Sequence, residues 1–327
     1  MVYHKSPLQF MANPDHIGKV FSGIEFNVLY KGIKLYKFLN DSFVHRGLKY
    51  KKGLNVDNLT FDSSGDCGPG LYFCKESDCR YHWRSYGKKL AFVEIPDDAQ
   101  VYIERFKFKA DKLFITQILD FVDVPDDFWY RILPHDGYVL SYIKNITEII
   151  CRAAVTKTGG ALKFVPQNLL TEEVCRLAVK DNGYALQYVI NQTDEICELA
   201  VKRYGLALEF VKNQTETICR LAVEQTGLAL QFVINPTYEL CVIAIDCCGT
   251  ALRYVDNTTG YLSDSMMNEL YKMAIKRNGL TIQYVNHQTE ELCIMAVKQD
   301  RDAVNFVNPE FRRVCYRTIT GTATATI

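Results

Sequence analysis

The segment Gln192–Asn213, QTDEICELAVKRYGLALEFVKN, is one copy of a unit that recurs along the chain every 22 residues. From Cys197, steps of 22 reach Cys219 and Cys241 in one direction and Cys175 in the other, with Cys151 after a step of 24. An insertion of 8 residues around Thr258–Ser265 shifts the matching position to Tyr271, after which Cys293 and Cys315 return at 22 each. The register before Cys151 falls on Trp129. A fixed period of this length is the signature of a stacked repeat array.

Each feature of the unit has a local physical reading. Thr193 is an N-cap, its hydroxyl placed to accept from a free backbone N–H, and Asp194 and Glu195 put negative charge where the helix dipole favours it. Ile196, Cys197, Ala200 and Val201 share one helical face. Gly205 is expected to end the helix in the left-handed conformation, and Leu206 to Val211 to form a second, shorter helix. The cap recurs at Thr147, Thr171, Thr215, Thr237 and Thr289, and the stop at Gly159, Gly183, Gly227, Gly249 and Gly279. A ten-residue helix is marginal alone in water, so units that share buried faces must stack. The fold class expected is a small α+β domain followed by an all-α solenoid of two-helix repeats. The domains are residues 1–25 (leader), 26–118 (α+β), 119–317 (repeats, opening near Pro125 and capped near Pro309–Arg317) and 318–327 (tail).

The twelve cysteines do not read as a disulfide framework. Stacked helices lie about 8–10 Å apart, whereas a disulfide needs Cα atoms within about 7 Å, so cysteines in register are small core residues of a protein in a reducing compartment. Cys247–Cys248 falls near the exposed end of its helix, where a reactive pair and an incidental one are both open. What varies between copies is polar: Lys163, Gln187, Glu209, Gln231, Arg253, Gln283 and Asn305 before the aromatic, and the last turn of the first helix. From that turn Lys157, Lys180, Lys202, Arg203, Glu224, Lys276 and Arg277 are the candidate partner-binding residues, because solenoids bind through such variable positions.

Net charge is zero, with 18 Lys/Arg against 14 Asp/Glu in residues 1–120 and 20 against 24 in the remainder. Neither half has the concentrated basicity of a nucleic-acid binder. No apolar run is long enough for a membrane helix, and Met1–Pro14 lacks the plan of a signal peptide.

The array, through E-x-C-x-x-A-V followed by G-x-A-L-x-F/Y-V-x-N between Glu148 and Asn308, resembles uncharacterised helical repeats of large DNA viruses of amoebae and of some intracellular bacterial effectors. That resemblance implies a non-enzymatic adaptor that binds a host or viral protein in the host cytoplasm, with no cofactor; a virion structural component is an alternative. The preceding region resembles the leading domain of mimivirus-type ankyrin-repeat proteins through Leu35-Tyr36-Lys37-Phe38-Leu39, Tyr50-Lys51-Lys52-Gly53-Leu54-Asn55-Val56-Asp57, Gly70-Leu71-Tyr72-Phe73 and Ile95-Pro96-Asp97-Asp98-Ala99. Its runs Ile33–Leu39, Gly70–Cys74, Leu90–Ile95 and Val101–Ile103 read as strands, with Pro96-Asp97-Asp98 as a turn.

Two sharper readings attach to this region. Gly68-Pro69-Gly70-Leu71-Tyr72-Phe73 looks like the G-x-G-x-Y-F strand of ADP-ribosyltransferases. That resemblance implies a NAD site with a first-strand His or Arg and a later Glu; here the first-strand position holds Tyr36 or Lys37, and Glu94 or Glu104 are the candidate acids. Cys67, Cys74, Cys79 and His82 lie within 16 residues, but their spacing lacks the C-x-x-C knuckle of a zinc site, and three reduced cysteines in a loop-rich segment are the favoured alternative to zinc. The basic stretch from His45-Arg46 to Lys51-Lys52 could touch phosphate.

Overall fold

The computed structural model describes residues 14–63, 68–255 and 262–320. An antiparallel sheet region is followed by a regular series of helices, the α+β and repeat architecture expected from the pattern. The chain divides into two compact units, Met1–Ala154 and Val155–Ile327.

In the first unit eight strands form one sheet, ordered β1-β8-β9-β6-β2-β7-β10-β5. They are β1 Val20–Ser22, β2 Leu35–Leu39, β5 Gly53–Val56, β6 Leu71–Lys75, β7 Lys89–Glu94, β8 Gln100–Ile103, β9 Phe108–Ala110 and β10 Lys112–Asp120; β3 Val44–His45 and β4 Leu48–Lys49 make a separate hairpin. The four expected strands are present as β2, β6, β7 and β8. The expected strand–turn–strand over Leu90–Glu104 is not a hairpin: β7 pairs with β2 and β10, while β8 pairs with β1 and β9. The Pro96–Ala99 turn therefore carries the chain between the two halves of the sheet.

Those halves join over only two register pairs, Leu35↔Lys75 and Tyr36↔Cys74. Residues from both enclose one core, with Phe26 of helix α1 (Gly23–Leu29) fully buried in it. The Phe26 ring lies 4.6 Å from Tyr30, 5.1 Å from Phe108 and 6.0 Å from Phe73, stacked and edge-to-face contacts that aromatic quadrupoles favour. β1 and the start of α1 occupy residues 20–25, read above as leader; residues 1–13 lie outside the described ones.

The opening repeat packs in this first unit. Its helix α2 (Asp126–Ile132) puts the fully buried Trp129 at the Cys register. The indole stacks on Tyr142 at 5.1 Å and meets the Phe121 ring edge-on at the same distance. Asp136 accepts from Trp83 Nε1 at 3.1 Å and from Arg84 at 2.6 Å.

The repeats continue through α3 (Glu148–Lys157), α4 (Glu172–Asp181), α5 (Asp194–Arg203), α6 (Glu216–Gln225), α7 (Tyr238–Cys247), α8 (Asp264–Arg277) and α9 (Glu290–Gln299) to α10 (Pro309–Thr320). Every expected Thr cap accepts from the backbone N–H three residues on, at 3.3–3.4 Å. Ser263 does the same for α8. That helix has 14 residues instead of 10, so part of the insertion is one extra helical turn; residues 256–261 lie outside the described ones. The second helix of each unit is a six-residue 3₁₀ segment, such as Gly205–Phe210. Gly205, Leu208 and Val211 fall three apart and are all buried, the repeat a 3₁₀ helix aligns on one face.

The repeat glycines correct the sequence reading. None of Gly159, Gly183, Gly205, Gly227, Gly249 and Gly279 has a positive φ. A Cβ on Gly227 would instead stand 2.1 Å from the Ala244 carbonyl oxygen of the following helix, and one on Gly205 2.4 Å from that of Ala222. The glycine lets two repeats approach; it does not turn the chain left-handed.

Candidate functional site

Two places in the described residues gather chemistry-bearing side chains: the last turns of the repeat helices and a cleft where the half-sheets part.

In the repeats, Arg203 Nε, at the end of α5, donates to the carbonyl of Asp181, at the end of α4, at 3.3 Å. Equivalent ends therefore lie together and the helices run parallel. Acidic first turns (Glu172–Glu173, Asp194–Glu195, Glu290–Glu291) thus share one edge, and basic last turns (Lys180, Lys202–Arg203, Lys298) the opposite one. Parallel helix dipoles repel, and these charges offset them at both ends.

All seven candidate partner-binding residues are exposed, but the structure separates them. Arg203 spends its guanidinium on Asp181 and on the Tyr204 ring at 5.5 Å, and Arg277 pairs with Asp246 of the preceding helix. Both tie repeats together. Lys202 pairs within its own helix with Glu198 at 3.0 Å. Lys157, Lys180, Glu224 and Lys276 hold no ion pair among the described residues, so they are presented to solvent.

Other inter-repeat contacts went unread in the sequence. The Gln214 amide donates to the Phe232 carbonyl at 2.6 Å and accepts from the Ile234 N–H at 3.0 Å, clamping the next linker. Gln192 and Gln288 repeat both bonds one unit before and further along. The register thiols Cys197, Cys219 and Cys293 donate weakly to the same Gln oxygens at 3.5–3.6 Å. The signal was the Gln immediately before three of the Thr caps. At the last helical position Gln225 and Asp181 accept from the glycine N–H of the preceding unit, both at 2.7 Å. Cys247 Sγ takes that place for Gly227 at 3.3 Å.

In the first unit, β2 and β6 diverge after Tyr36, and the gap between them is lined by Tyr36, Lys37, Tyr72, His45, His82 and Lys107 among others. Lys37 is buried; its ammonium donates to the Tyr72 carbonyl at 2.7 Å and sits 4.3 Å from the Tyr50 ring centroid. It thereby satisfies a strand carbonyl across the gap. Burial holds its pKa down at about 7. Burial also lowers the pKa of both His45 and His82. Gly70, at φ +134°, leaves room for the Lys109 side chain, whose Cγ a Cβ would meet at 2.3 Å.

The resemblance put Tyr36 or Lys37 at the first-strand position and Tyr72 in the G-x-G-x-Y-F strand, and the structure brings all three to one cleft. Glu94 and Glu104 do not line it; Glu104 pairs with Lys107 at 3.3 Å. Tyr86 and Lys107, unread in the sequence, do. The candidate zinc ligands diverge: Cys74 and Cys79 face each other, buried, at 3.7 Å, His82 Nε2 lies 3.1 Å from the Phe106 carbonyl, and Cys67 lies outside the described residues. No helix among the described residues is long and apolar enough to cross a membrane.

The matches found among known proteins carry no described activity. Residues 268–312 match a family described as a domain of unknown function, DUF4116. Over 92 residues the chain is 37% identical to R869, an uncharacterised protein of Acanthamoeba polyphaga mimivirus; the match takes 25% of this chain and 64% of the relative. No solved structure matches. By sequence, then, the chain is similar to a mimivirus protein over a quarter of its length.

Proposed function

We propose that this chain is a non-enzymatic adaptor whose repeats bind a host or viral protein in the cytoplasm of the host cell. The observation that carries the reading is the contrast between positions within one chain. The buried register holds Ala178, Ala200, Ala222, Ala244, Ala274 and Ala296 without change. The exposed position two residues on runs Lys180, Lys202, Glu224, Asp246, Lys276, Lys298. Packing fixes the first set; in the second, Asp246 ties repeats through Arg277, and the other side chains bridge no repeats among the described residues and are free to be shaped by a partner. Reversing Lys180, Lys202 and Lys276 to Glu in the full chain tests this, since none of the three bridges repeats. The reading predicts that a protein retained by the wild type is lost while the melting temperature barely moves.

A second reading, an ADP-ribosyltransferase-like first unit carried by the repeats, is favoured by the meeting of Tyr36, Lys37 and Tyr72 in one cleft. The absence of Glu94 and Glu104 from the lining counts against turnover. NAD consumption by the full chain, abolished by Tyr72→Ala, would establish it, and no consumption with any acceptor would remove it.

A further inference from the structure

We propose that Lys37 is a nucleophilic amine that captures small aldehydes by forming an imine in the cleft between β2 and β6. The proposal stands independently of both readings above. Its first support is placement. Lys37 lies at the point where the half-sheets part, among residues lining a half-open cleft with about 30 Å³ of space, enough for about two water molecules and so for a one- or two-carbon aldehyde. One of its lining residues, Tyr86, is 42% exposed, so the cleft's lining reaches solvent.

The second support is the amine's company. Lys75, Lys89 and Lys112 each pair with an aspartate. Lys37 has no carboxylate partner among the described residues; a carbonyl, an aromatic ring and buried surroundings are what it meets. Desolvation is the first cause of its lowered pKa, the nearby Arg46 charge adds to it, and Cys74 opposes it. Much of the amine is therefore unprotonated at neutral pH, whereas an ordinary lysine is almost wholly ammonium.

The step balances without a redox partner. The nitrogen lone pair adds to the carbonyl carbon and forms the C–N bond. Protons pass from nitrogen to the carbonyl oxygen, the C–O bond breaks, and that oxygen leaves as water.

The test treats the full chain with limiting acetaldehyde and cyanoborohydride at pH 7, which reduces any imine to a stable ethylamine, and follows each lysine by peptide mass spectrometry. Exposed Lys180 and Lys276 in the same digest serve as references. The proposal expects Lys37 to be ethylated at least tenfold faster than either, and the lead to vanish in urea. Ethylation of Lys37 no faster than the references, or none at all, overturns it. Because the wild-type chain is measured, no variant has to fold.

Discussion

Gly227 shows how much one residue can carry in this array. With an ordinary negative φ it gains nothing from glycine's conformational freedom, yet a methyl group there would overlap the Ala244 carbonyl. Gly227→Ala should therefore destabilise the chain by about 3 kcal/mol, the upper range for overpacking, as read by urea unfolding. Thr215→Ala removes only a cap bond and should cost about 1 kcal/mol. The caps were legible because capping is local: Thr, acidic residues and an apolar face lie within a few positions. The glycines were recognised and misread, because the atom that excludes a side chain comes from the next repeat.

Lys37 supplies a pH dependence with a definite sign. In the unfolded chain its amine ionises near 10.5, and burial brings this down to about 7. Between those values the unfolded state holds a proton that the folded state lacks, so stability rises with pH across the window. Below pH 7 the penalty is constant. Lys37→Met removes it, and the wild type minus variant stability should climb by up to about 5 kcal/mol from pH 7 to 10.5. A flat difference would mean that Lys37 stays charged when folded.

At the scale of elements, the Gln clamps hold successive units in register. Gln214→Ala leaves the Phe232 carbonyl and the Ile234 N–H without that partner and should cost about 2 kcal/mol at roughly 1 kcal/mol for each bond. The second segment of each unit was legible as helical and short. Its 3₁₀ form was also written in the three-residue spacing of Gly205, Leu208 and Val211, but a spacing of three also suits an α-helix, and only the packing decides. In the sheet the position of strands was readable from short apolar runs, whereas their partners were not. Leu90–Glu104 contains two strands joined by a tight turn, the signal of a hairpin, yet each belongs to a different half-sheet because both halves must close over Phe26. β10, with nine residues the longest strand, was missed because its burial does not alternate evenly around the register shift between Ile115 and Gln117.

At the scale of the whole molecule, the repeat period stated the architecture of the second unit almost completely, because each copy repeats the same buried positions. The candidate site was half legible. Exposure of the last-turn residues followed from periodicity, but the bonds of Arg203 and Arg277 to neighbouring repeats depend on how units stack. The cleft residues Tyr36, Lys37 and Tyr72 were named from a motif, while Tyr86 and Lys107 come from segments with no motif. The proposed adaptor role places protein binding on the exposed, variable last turns. That role is read from the affinity of one partner, first captured by the full chain from amoebal lysate, for the wild type and for the Lys180→Glu, Lys202→Glu, Lys276→Glu variant. At least a tenfold loss of affinity is expected in the triple variant, with unchanged binding by a Lys19→Glu control on the first unit; equal affinity of wild type and triple variant would contradict this role.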